Sequence, residues 1–389
     1  MLFTKTEYKE RLINVQTEMQ KKGIDLLISS DPANMNYLSG YDAHSFYMPQ
    51  CLLIHINAEE PICFVREQDA GGAFIKTYLN EKNIIKYPEK YIHTPPAHPY
   101  EFLVKIIKDR KWDNLSIGLE KDCHYFTATC CEKIVSGLPN ARIKDAEFLV
   151  NWVRCIKSDT EIELMRAAAK IVEKGMKSAI NHIKPGVRQC EAVAEIQKSL
   201  ISGTPEFGGD YAGIVPMLPT GKGTSASHLT WTEEKFIKGE ATIIELAGVY
   251  KKYHCPMART VLLGEPDQKK IDTMKATNEA LDAGISEIKP GKTCDEVAQK
   301  FWKILDKYGI KKSSRTGYSI GIGYPPDWGE HTLNIQKGDK TILQPNVTFH
   351  MIAVMQFGNW GVESSEAIRV TEKGSELFCK FSRELHIKG

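Results

Sequence analysis

IKPGVRQCEAVA at residues 183–194 returns as IKPGKTCDEVA at residues 288–298, and this repetition decides the fold of the second half of the chain. In each copy an apolar stretch leads into a Pro-Gly pair, which favours a turn, and an acidic residue then opens a second helical stretch. A solenoid needs at least three such units, so two copies predict one domain that is built from two related halves. Two halves of this kind create a central cleft, where we expect a functional site.

Upstream of the repeat, the sequence alternates between helical and strand patterns. Three apolar runs bounded by turn-forming residues predict buried strands at residues 24–29, 51–56 and 61–65. The pattern changes at Ser158, which together with Glu161 predicts the capped start of a long helix. We therefore expect an α+β chain with an α/β domain at residues 1–155 and a second domain, with an internal pseudo-two-fold repeat, at residues 156–389.

The composition argues against several classes of function. The chain has 51 Lys and Arg against 49 Asp and Glu, and a net charge of +2 is too small to make nucleic acid or an anionic membrane the main partner. No apolar run approaches the roughly 20 residues that span a bilayer, and the charged N-terminal stretch does not have the pattern of a secretory signal. The ten cysteines include no CxxC pair, so we expect free thiols in a cytoplasmic protein.

The junction between the two predicted domains resembles that of the creatinase/aminopeptidase P/methionine aminopeptidase superfamily, whose catalytic domain has the pita-bread fold. The resemblance is carried by RCIKS at residues 154–158, by Glu161 and by Met165-Arg166, and it extends over almost the whole chain. It implies a creatinase-type N-terminal α/β domain followed by a pita-bread catalytic domain. It also implies a homodimer, as in creatinase-like proteins.

Metallopeptidases of this superfamily hold two metal ions with two Asp, one His and two Glu, and most of these positions differ here. The resemblance places at the five positions, in chain order, Glu245, Pro256, Tyr318, Ile352 and Ser365. A shift of one residue would place Glu366 at the last position. At least three of the five ligands are lost, whereas a divalent cation needs several converging ligands. The resemblance therefore implies a member of the superfamily that uses no metal and no other cofactor.

Four finer motifs are similar to those of the ectoine hydrolase branch of the superfamily. They are EFGGDY at 206–211, SHLTW at 227–231, YHCP at 253–256 and YPPDWGE at 324–330. Ser45-Phe46-Tyr47 is similar to the N-terminal domain of the same branch. The resemblance implies an enzyme that opens the cyclic amidine ring of ectoine, a small zwitterion, by C–N bond hydrolysis to N-acetyl-diaminobutyrate.

Three residues are expected to carry this chemistry, which requires attack on the amidine carbon and protonation of the leaving nitrogen. Glu245 is the expected nucleophile or base, because it lies in an apolar strand at the position that faces the cleft in relatives. A structural ion pair is the alternative for Glu245. His228 follows a glycine-rich loop and is expected to accept and return a proton. Glu330 is expected either to hold the amidinium N–H groups or to anchor a turn.

Seven further residues are expected to bind the substrate: Glu366, Tyr318, His254, Arg259, Trp328, Phe46 and Tyr47. Tyr318 offers a hydroxyl group and Trp328 a face for cation–π contact, while Arg259 is expected to brace the site. His254 has an equally plausible role as a core residue. By resemblance, Phe46 and Tyr47 would cover the site of a partner subunit.

Other functions remain open alongside ectoine hydrolysis. One is a metallopeptidase such as an Xaa-Pro dipeptidase, with displaced ligands at Glu245, His254, Glu330 and Glu366. A second is a creatinase-like amidinohydrolase. A third is a catalytically inactive pita-bread module that binds partners, although buried polar groups without a use would be costly to retain.

Overall fold

The computed structural model describes residues 2–146, 148–265 and 267–389. The chain divides into two units, of which the first ends at Arg154 and the second runs from Cys155 to Gly389. The boundary expected from the sequence lies one residue further along. The mixed composition of helices and strands confirms the α+β class.

The first unit is a mixed sheet with helices around it. Its strands are β1 (Leu26–Ser29), β2 (Cys51–His55), β3 (Ile62–Arg66), β4 (Ile84–Tyr87), β5 (Ser116–Leu119) and β6 (Arg142–Asp145). Its helices are α1 (Lys5–Lys22), α2 (Pro32–Ser39), α3 (Ala70–Lys76), α4 (Pro99–Asp109), α5 (Ala128–Gly137) and α6 (Leu149–Arg154). The strand order is β4-β3-β2-β1-β5-β6, in which β2 runs antiparallel to both neighbours. The three strands expected from the sequence correspond to β1, β2 and β3.

The spacing of apolar residues in helix α4 explains how this helix packs in the core of the first unit. Tyr100, Leu103, Val104 and Ile107 recur at helical spacing and are buried in the core that includes the strands of the sheet. Glu101 and Lys108 lie outside this stripe and are exposed. One apolar stripe therefore fixes which side of α4 packs inward.

The second unit contains the repeated pattern. Its helices are α7 (Asp159–His182), α8 (Gln189–Ser202), α9 (Gln268–Glu287) and α10 (Cys294–Lys307). Its strands are β7 (Ala241–Tyr250), β8 (Tyr253–Leu263), β9 (Gly317–Tyr324), β10 (Asp327–Asn334), β11 (Thr348–Phe357), β12 (Trp360–Val370), β13 (Ser375–Leu377) and β14 (His386–Lys388). The sheet follows the order β13-β12-β11-β9-β8-β14, while β10 pairs with β9 and β7 pairs with β8.

The two copies of the repeat form the same structure, a helix pair joined by a Pro-Gly turn. Gly186 joins α7 to α8 with φ +84°, and Gly291 joins α9 to α10 with φ +85°. A side chain rarely adopts this backbone conformation, which explains glycine in both copies. The acidic residue of each copy accepts a backbone N–H at the start of the second helix, Glu191 from Arg188 and Glu296 from Thr293. The predicted helix–turn–helix repeat is confirmed.

The start of α7 is also as predicted. The Ser158 hydroxyl accepts the backbone N–H of Glu161 at 3.2 Å, and the Glu161 carboxylate accepts the backbone N–H of Ser158 at 2.9 Å. This reciprocal pair satisfies two of the N–H groups that a helix start leaves unpaired.

Two β-hairpins of the second unit position Glu245 and Glu363. In the β7–β8 hairpin Glu245 lies opposite Ala258, and in the β11–β12 hairpin Val354 lies opposite Glu363. The Thr260 hydroxyl connects the hairpins, because it donates to the Glu363 carbonyl at 2.9 Å and accepts the Glu363 N–H at 2.8 Å. The backbones of β8 and β12 are therefore fixed relative to each other at Glu363.

All ten cysteines are free thiols in the structure. Cys255 and Cys379 have their sulfur atoms 3.7 Å apart, which is too long for a disulfide bond. Within the described ranges, no helix combines the length and the apolar character that crossing a bilayer requires.

Candidate active site

A cavity in the second unit brings His228, Glu245 and Glu363 together. Its apolar walls include Ile243 on β7 and Ile352 and Val354 on β11. The cavity has a volume of about 50 Å³, which is room for a few water molecules. Titratable side chains in an enclosed, largely apolar space are the usual setting for acid–base chemistry.

Glu245 is held on the cavity wall by its backbone. Its N–H donates to the Met217 carbonyl at 3.0 Å, and its carbonyl accepts the Met217 N–H at 2.8 Å. The residue is 8% exposed, and its carboxyl group forms no ion pair with any residue that the structure describes. Burial, followed by the negative charge of Asp327, raises the pKa of Glu245 to about 7. Glu245 can therefore be present as acid or as anion at neutral pH.

His228 lies on the loop side of the same cavity. It follows the 3₁₀ turn Gly221–Ser225, and its own backbone has φ +62°, a conformation that is strained for a residue with a side chain. Thr224 ties this turn to β12 by accepting the N–H of Gly361 at 2.9 Å. His228 itself is exposed to solvent. It can thus meet the cavity on one side and exchange protons with bulk water on the other.

Glu363 was not among the residues expected from the sequence. It lies on β12, is 6% exposed and has one buried carboxyl oxygen, Oε1, that makes no hydrogen bond to a described residue. Burial and then the charge of Glu245 raise the pKa of Glu363 well above its usual range, and the Lys312 ammonium acts in the opposite direction. Strand alternation could have indicated it, because Glu363 lies two residues from Ser365 and so shares its face of β12.

Glu330 and Glu366 do not line this cavity. Glu330 accepts from the Lys157 ammonium at 2.8 and 2.7 Å, and both side chains are 1% exposed. Glu366 pairs with the Arg259 guanidinium at 2.8 Å. Glu366 follows Ser365 directly, so the alternation of the strand directs its side chain to the other face of the sheet.

His254 and Arg259 are both engaged with the backbone. His254 Nδ1 donates to the Lys252 carbonyl and Nε2 accepts the Gly213 N–H, each at 2.8 Å, and burial lowers the pKa of His254 to about 4. His254 is therefore neutral, with both ring nitrogens satisfied. Besides Glu366, Arg259 donates to the carbonyl groups of Ala258, Ser365, Phe381 and Ser382.

Tyr318 and Trp328 belong to a buried chain of hydrogen bonds. Trp328 Nε1 donates to the Tyr318 hydroxyl at 2.8 Å, and this hydroxyl lies 3.0 Å from His350 Nδ1. His350 Nε2 lies 2.6 Å from Ser365 Oγ, which also accepts the Ala258 N–H. Burial, followed by the positive charge of Arg259, lowers the pKa of His350 to about 3, so its ring is neutral.

The residues at the family's metal positions do not fit a divalent cation. Pro256 and Ile352 offer no side-chain ligand, while Tyr318 and Ser365 are engaged in the hydrogen-bond chain. Among the described residues, no group of three or more His, Cys, Asp or Glu side chains has the arrangement of a metal site. The donor set is therefore not that of a metallopeptidase.

Phe46 and Tyr47 lie in the first unit. The Phe46 ring is nearly buried, and its centroid lies 4.6 Å from that of the His44 ring and 5.6 Å from that of the Tyr125 ring. Tyr47, by contrast, is 62% exposed. Their role toward a partner subunit stays a prediction.

Comparison with known proteins identifies the family. Residues 163–372 match the model of metallopeptidase family M24, and residues 11–156 match the creatinase/prolidase N-terminal domain. The ectoine hydrolase of Halomonas elongata is 45% identical over 99% of this chain and 98% of its own length. An uncharacterized hydrolase/peptidase of Sinorhizobium fredii is 38% identical over 99% and 98% of the two chains.

A solved structure with the same fold is that of a dipeptidase from Mycobacterium ulcerans. It superimposes with a TM-score of 0.83 at 17% identity and covers 99% of both chains. The predicted creatinase-type domain and pita-bread domain are confirmed. The chain is therefore a hydrolase of metallopeptidase family M24 that carries a creatinase/prolidase N-terminal domain.

Proposed function

We propose that this protein opens the cyclic amidine ring of ectoine by hydrolysis of a C–N bond, and that it does so without a metal ion. The full-length relative from Halomonas elongata supports the substrate. The observation that carries the proposal is the Glu245 carboxyl group, which is buried between apolar walls with no cation paired to it among the described residues. A bound amidinium would supply that positive charge through charge-assisted hydrogen bonds.

Two versions of the chemistry share this binding mode. In the first, Glu245 attacks the amidine carbon and forms a covalent adduct, which water then cleaves while His228 shuttles the proton. In the second, Glu245 orients and polarises the ring while His228 activates the attacking water. The product of both is N-acetyl-diaminobutyrate. The position of His228 on the exposed rim supports its role, since it can pass protons to solvent.

Substrate entry requires the cavity to widen. A volume of about 50 Å³ is too small for a six-membered ring with its methyl and carboxylate groups. The strands that line the cavity are held in hairpins, β7 with β8 and β11 with β12, whereas residues 226–230 form an exposed loop without regular structure. We therefore infer that this loop, which carries His228, moves outward to admit the substrate.

The proposal includes the cellular compartment and the oligomeric state of the enzyme. Ten free thiols fit a reducing compartment, and we propose that the protein acts in the cytoplasm. We also propose a homodimer in which the exposed Tyr47, with Phe46, approaches the site of the partner subunit.

A panel of three substrates tests the function. The purified protein is incubated separately with ectoine, creatine and an Xaa-Pro dipeptide, and products are followed by NMR. We expect only ectoine to be consumed, with the appearance of an N-acetyl methyl signal. Cleavage of creatine or of the dipeptide in place of ectoine would contradict the proposal and identify the alternative.

A further inference from the structure

One oxygen of the Glu363 carboxyl group has no hydrogen-bond partner among the described residues. Glu366 shares this property, but Glu363 also lines the cavity. Glu363 lines the same cavity as His228, and its Oε1 atom is fully buried. An unpaired buried carboxylate is unfavourable in free energy unless it is protonated or a ligand pairs with it. The geometry therefore points to a group that holds a proton or awaits one.

The direction of the Glu363 side chain is fixed by the strands around it. Thr260 binds both backbone groups of Glu363, and Val354 is its antiparallel partner. Val354 itself lines the cavity. A functional group placed on two paired strands is held more accurately than one on a loop.

The other buried carboxyl groups nearby cannot serve in the same way. Glu330 is paired with the Lys157 ammonium and Glu366 with the Arg259 guanidinium, and neither side chain lines the cavity. Lys312 is the cation whose charge acts on Glu363. Its ammonium, however, donates to the Ser314 and Arg315 carbonyl groups.

Glu245 and Glu363 thus share one apolar cavity. Two carboxyl groups in such a place do not both ionise, because each negative charge disfavours the other. The environment of Glu363 favours the acid, while an incoming amidinium favours the anion of Glu245. The two carboxyl groups can therefore take different roles in one reaction.

We propose that Glu363 is a further catalytic residue of this site, and that it donates the proton that the leaving ring nitrogen requires. The assignment rests on the proposed ectoine-opening function and deepens it, because it gives the leaving nitrogen a proton source that is separate from His228.

In the covalent version, ring opening begins with the attack of Glu245. A Glu245 oxygen bonds to the amidine carbon while the C=N electron pair moves onto nitrogen. The ring C–N bond then breaks, its electron pair stays on the departing nitrogen, and that nitrogen takes the proton from Glu363, which becomes a carboxylate. Water adds its oxygen to the same carbon, loses one proton to His228, and displaces Glu245.

The remaining protons complete the cycle. The second proton of the water passes to the freed amine as the amide forms, His228 releases its proton to solvent, and Glu363 takes up one from solvent. One water molecule is consumed. When water attacks directly, the proton transfer from Glu363 to the leaving nitrogen is the same.

The test compares Glu363→Gln with Glu363→Asp and with Glu372→Gln, an exposed control. Glutamine keeps the size of the side chain but cannot release a proton. We expect Glu363→Gln to lose about 10²–10⁴-fold in kcat, the usual range for a general acid. The Kd for ectoine should stay within about threefold of the wild-type value. Glu363→Asp, which keeps an acid, should retain more turnover than Glu363→Gln.

A second readout does not depend on the substrate. The free wild-type protein at neutral pH should show the infrared carbonyl band of a buried protonated carboxylic acid. The band should be weaker in Glu363→Gln, which lacks the Glu363 acid, and unchanged in the Glu372→Gln control. The signal that remains belongs to other buried acids such as Glu245, whose pKa is about 7.

Three results would overturn the assignment. They are near-wild-type kcat in Glu363→Gln, equal loss of turnover in the Asp and Gln variants, and a carbonyl band of equal strength in the wild type and in Glu363→Gln. A wild type that shows the band but leaves ectoine intact would instead contradict the proposed function, and with it the transfer to the ring nitrogen.

Discussion

Glu245 and Glu363 differ from Glu330 and Glu366 in what surrounds their carboxyl groups. All four are buried on strands of the second unit. Lys157 and Arg259 neutralise the second pair, so those carboxylates stabilise the fold as partners of buried cations. Glu245 and Glu363 instead line a cavity with apolar walls, and neither forms an ion pair with a described residue. At the scale of single residues, the partner decides which glutamate is available for chemistry.

The first prediction concerns turnover by Glu245→Gln. This variant keeps the shape of the side chain but removes its charge and its nucleophilicity, so both versions of the mechanism predict loss of activity by at least about 10³-fold in kcat. Ectoine consumption is measured by NMR, with Glu372→Gln as the surface control. Wild-type turnover by Glu245→Gln would remove Glu245 from the mechanism.

Glu245→Gln should lower turnover but increase the stability of the folded protein above neutral pH. The pKa of Glu245 is raised from 4.5 to about 7, so the folded state keeps a proton that the unfolded state has already released. The stability of the wild type therefore falls as the pH rises through this window. At pH 8, Glu245→Gln should be more stable than the wild type by about 1–3 kcal/mol, with little difference at pH 4. Urea unfolding at the two pH values measures this, and an equal difference at both would contradict it.

At the scale of elements, local signals in the sequence were sufficient for the helices but not for the site. The repeat around Gly186 and Gly291 and the cap at Ser158 depend on neighbouring residues, and each is present as expected. The partner of Glu330, by contrast, is Lys157, which is 173 residues away in the chain. Lys157 lies outside the strands, so the pairing depends on how the segment before α7 packs against the sheet, which local sequence patterns do not reveal.

Glu363 was missed for a related reason. The sequence comparison directed attention to Glu366, the carboxyl nearest to the lost ligand position at Ser365. One step along a strand reverses the side of the sheet, whereas two steps preserve it. The carboxyl that shares the face of Ser365 is thus Glu363, not its nearer neighbour.

The ion pair between Lys157 and Glu330 predicts a measurable effect on stability. Lys157 adjoins Ser158, the N-cap of α7, and Glu330 lies on β10, so the pair connects the start of a helix to the sheet. Lys157→Met leaves the Glu330 carboxylate buried without its cation and should destabilise the protein by about 3–5 kcal/mol.

The matched double variant separates charge from packing. Lys157→Met combined with Glu330→Gln removes both charges and should recover a large part of the loss in a denaturant titration. A single variant as stable as the wild type, or a double variant no better than the single one, would contradict this account of the pair.

The loop at residues 226–230 should respond to the substrate. Its side-chain contact with β11 is modest, with Gln356 Nε2 donating to Ser227 Oγ at 3.2 Å. Because ectoine would fill the cavity beneath this loop, we expect slower amide hydrogen exchange there while ectoine remains in excess. Peptides from α4 in the first unit serve as the unaffected control. Identical loop exchange with and without ectoine would contradict the proposed opening.

At the scale of the whole molecule, the fold was predictable because its signals extend over most of the chain. The junction motif and the repeat together led to the two-domain architecture, which the family matches confirm. The fold alone would suggest a metallopeptidase. Pro256 and Ile352, however, provide no side-chain ligand at two of the five metal positions. A shared fold therefore coexists here with an altered site, and function has to be argued from the site.

The proposed metal independence would distinguish this protein from the metallopeptidases of its family. The decisive measurement is the rate of ectoine ring opening, followed by NMR, on protein dialysed against EDTA and checked for metal by mass spectrometry. The account predicts an unchanged rate with zinc, manganese and cobalt all well below one equivalent. Loss of the activity on dialysis, and its return when one of these metals is added back, would contradict it.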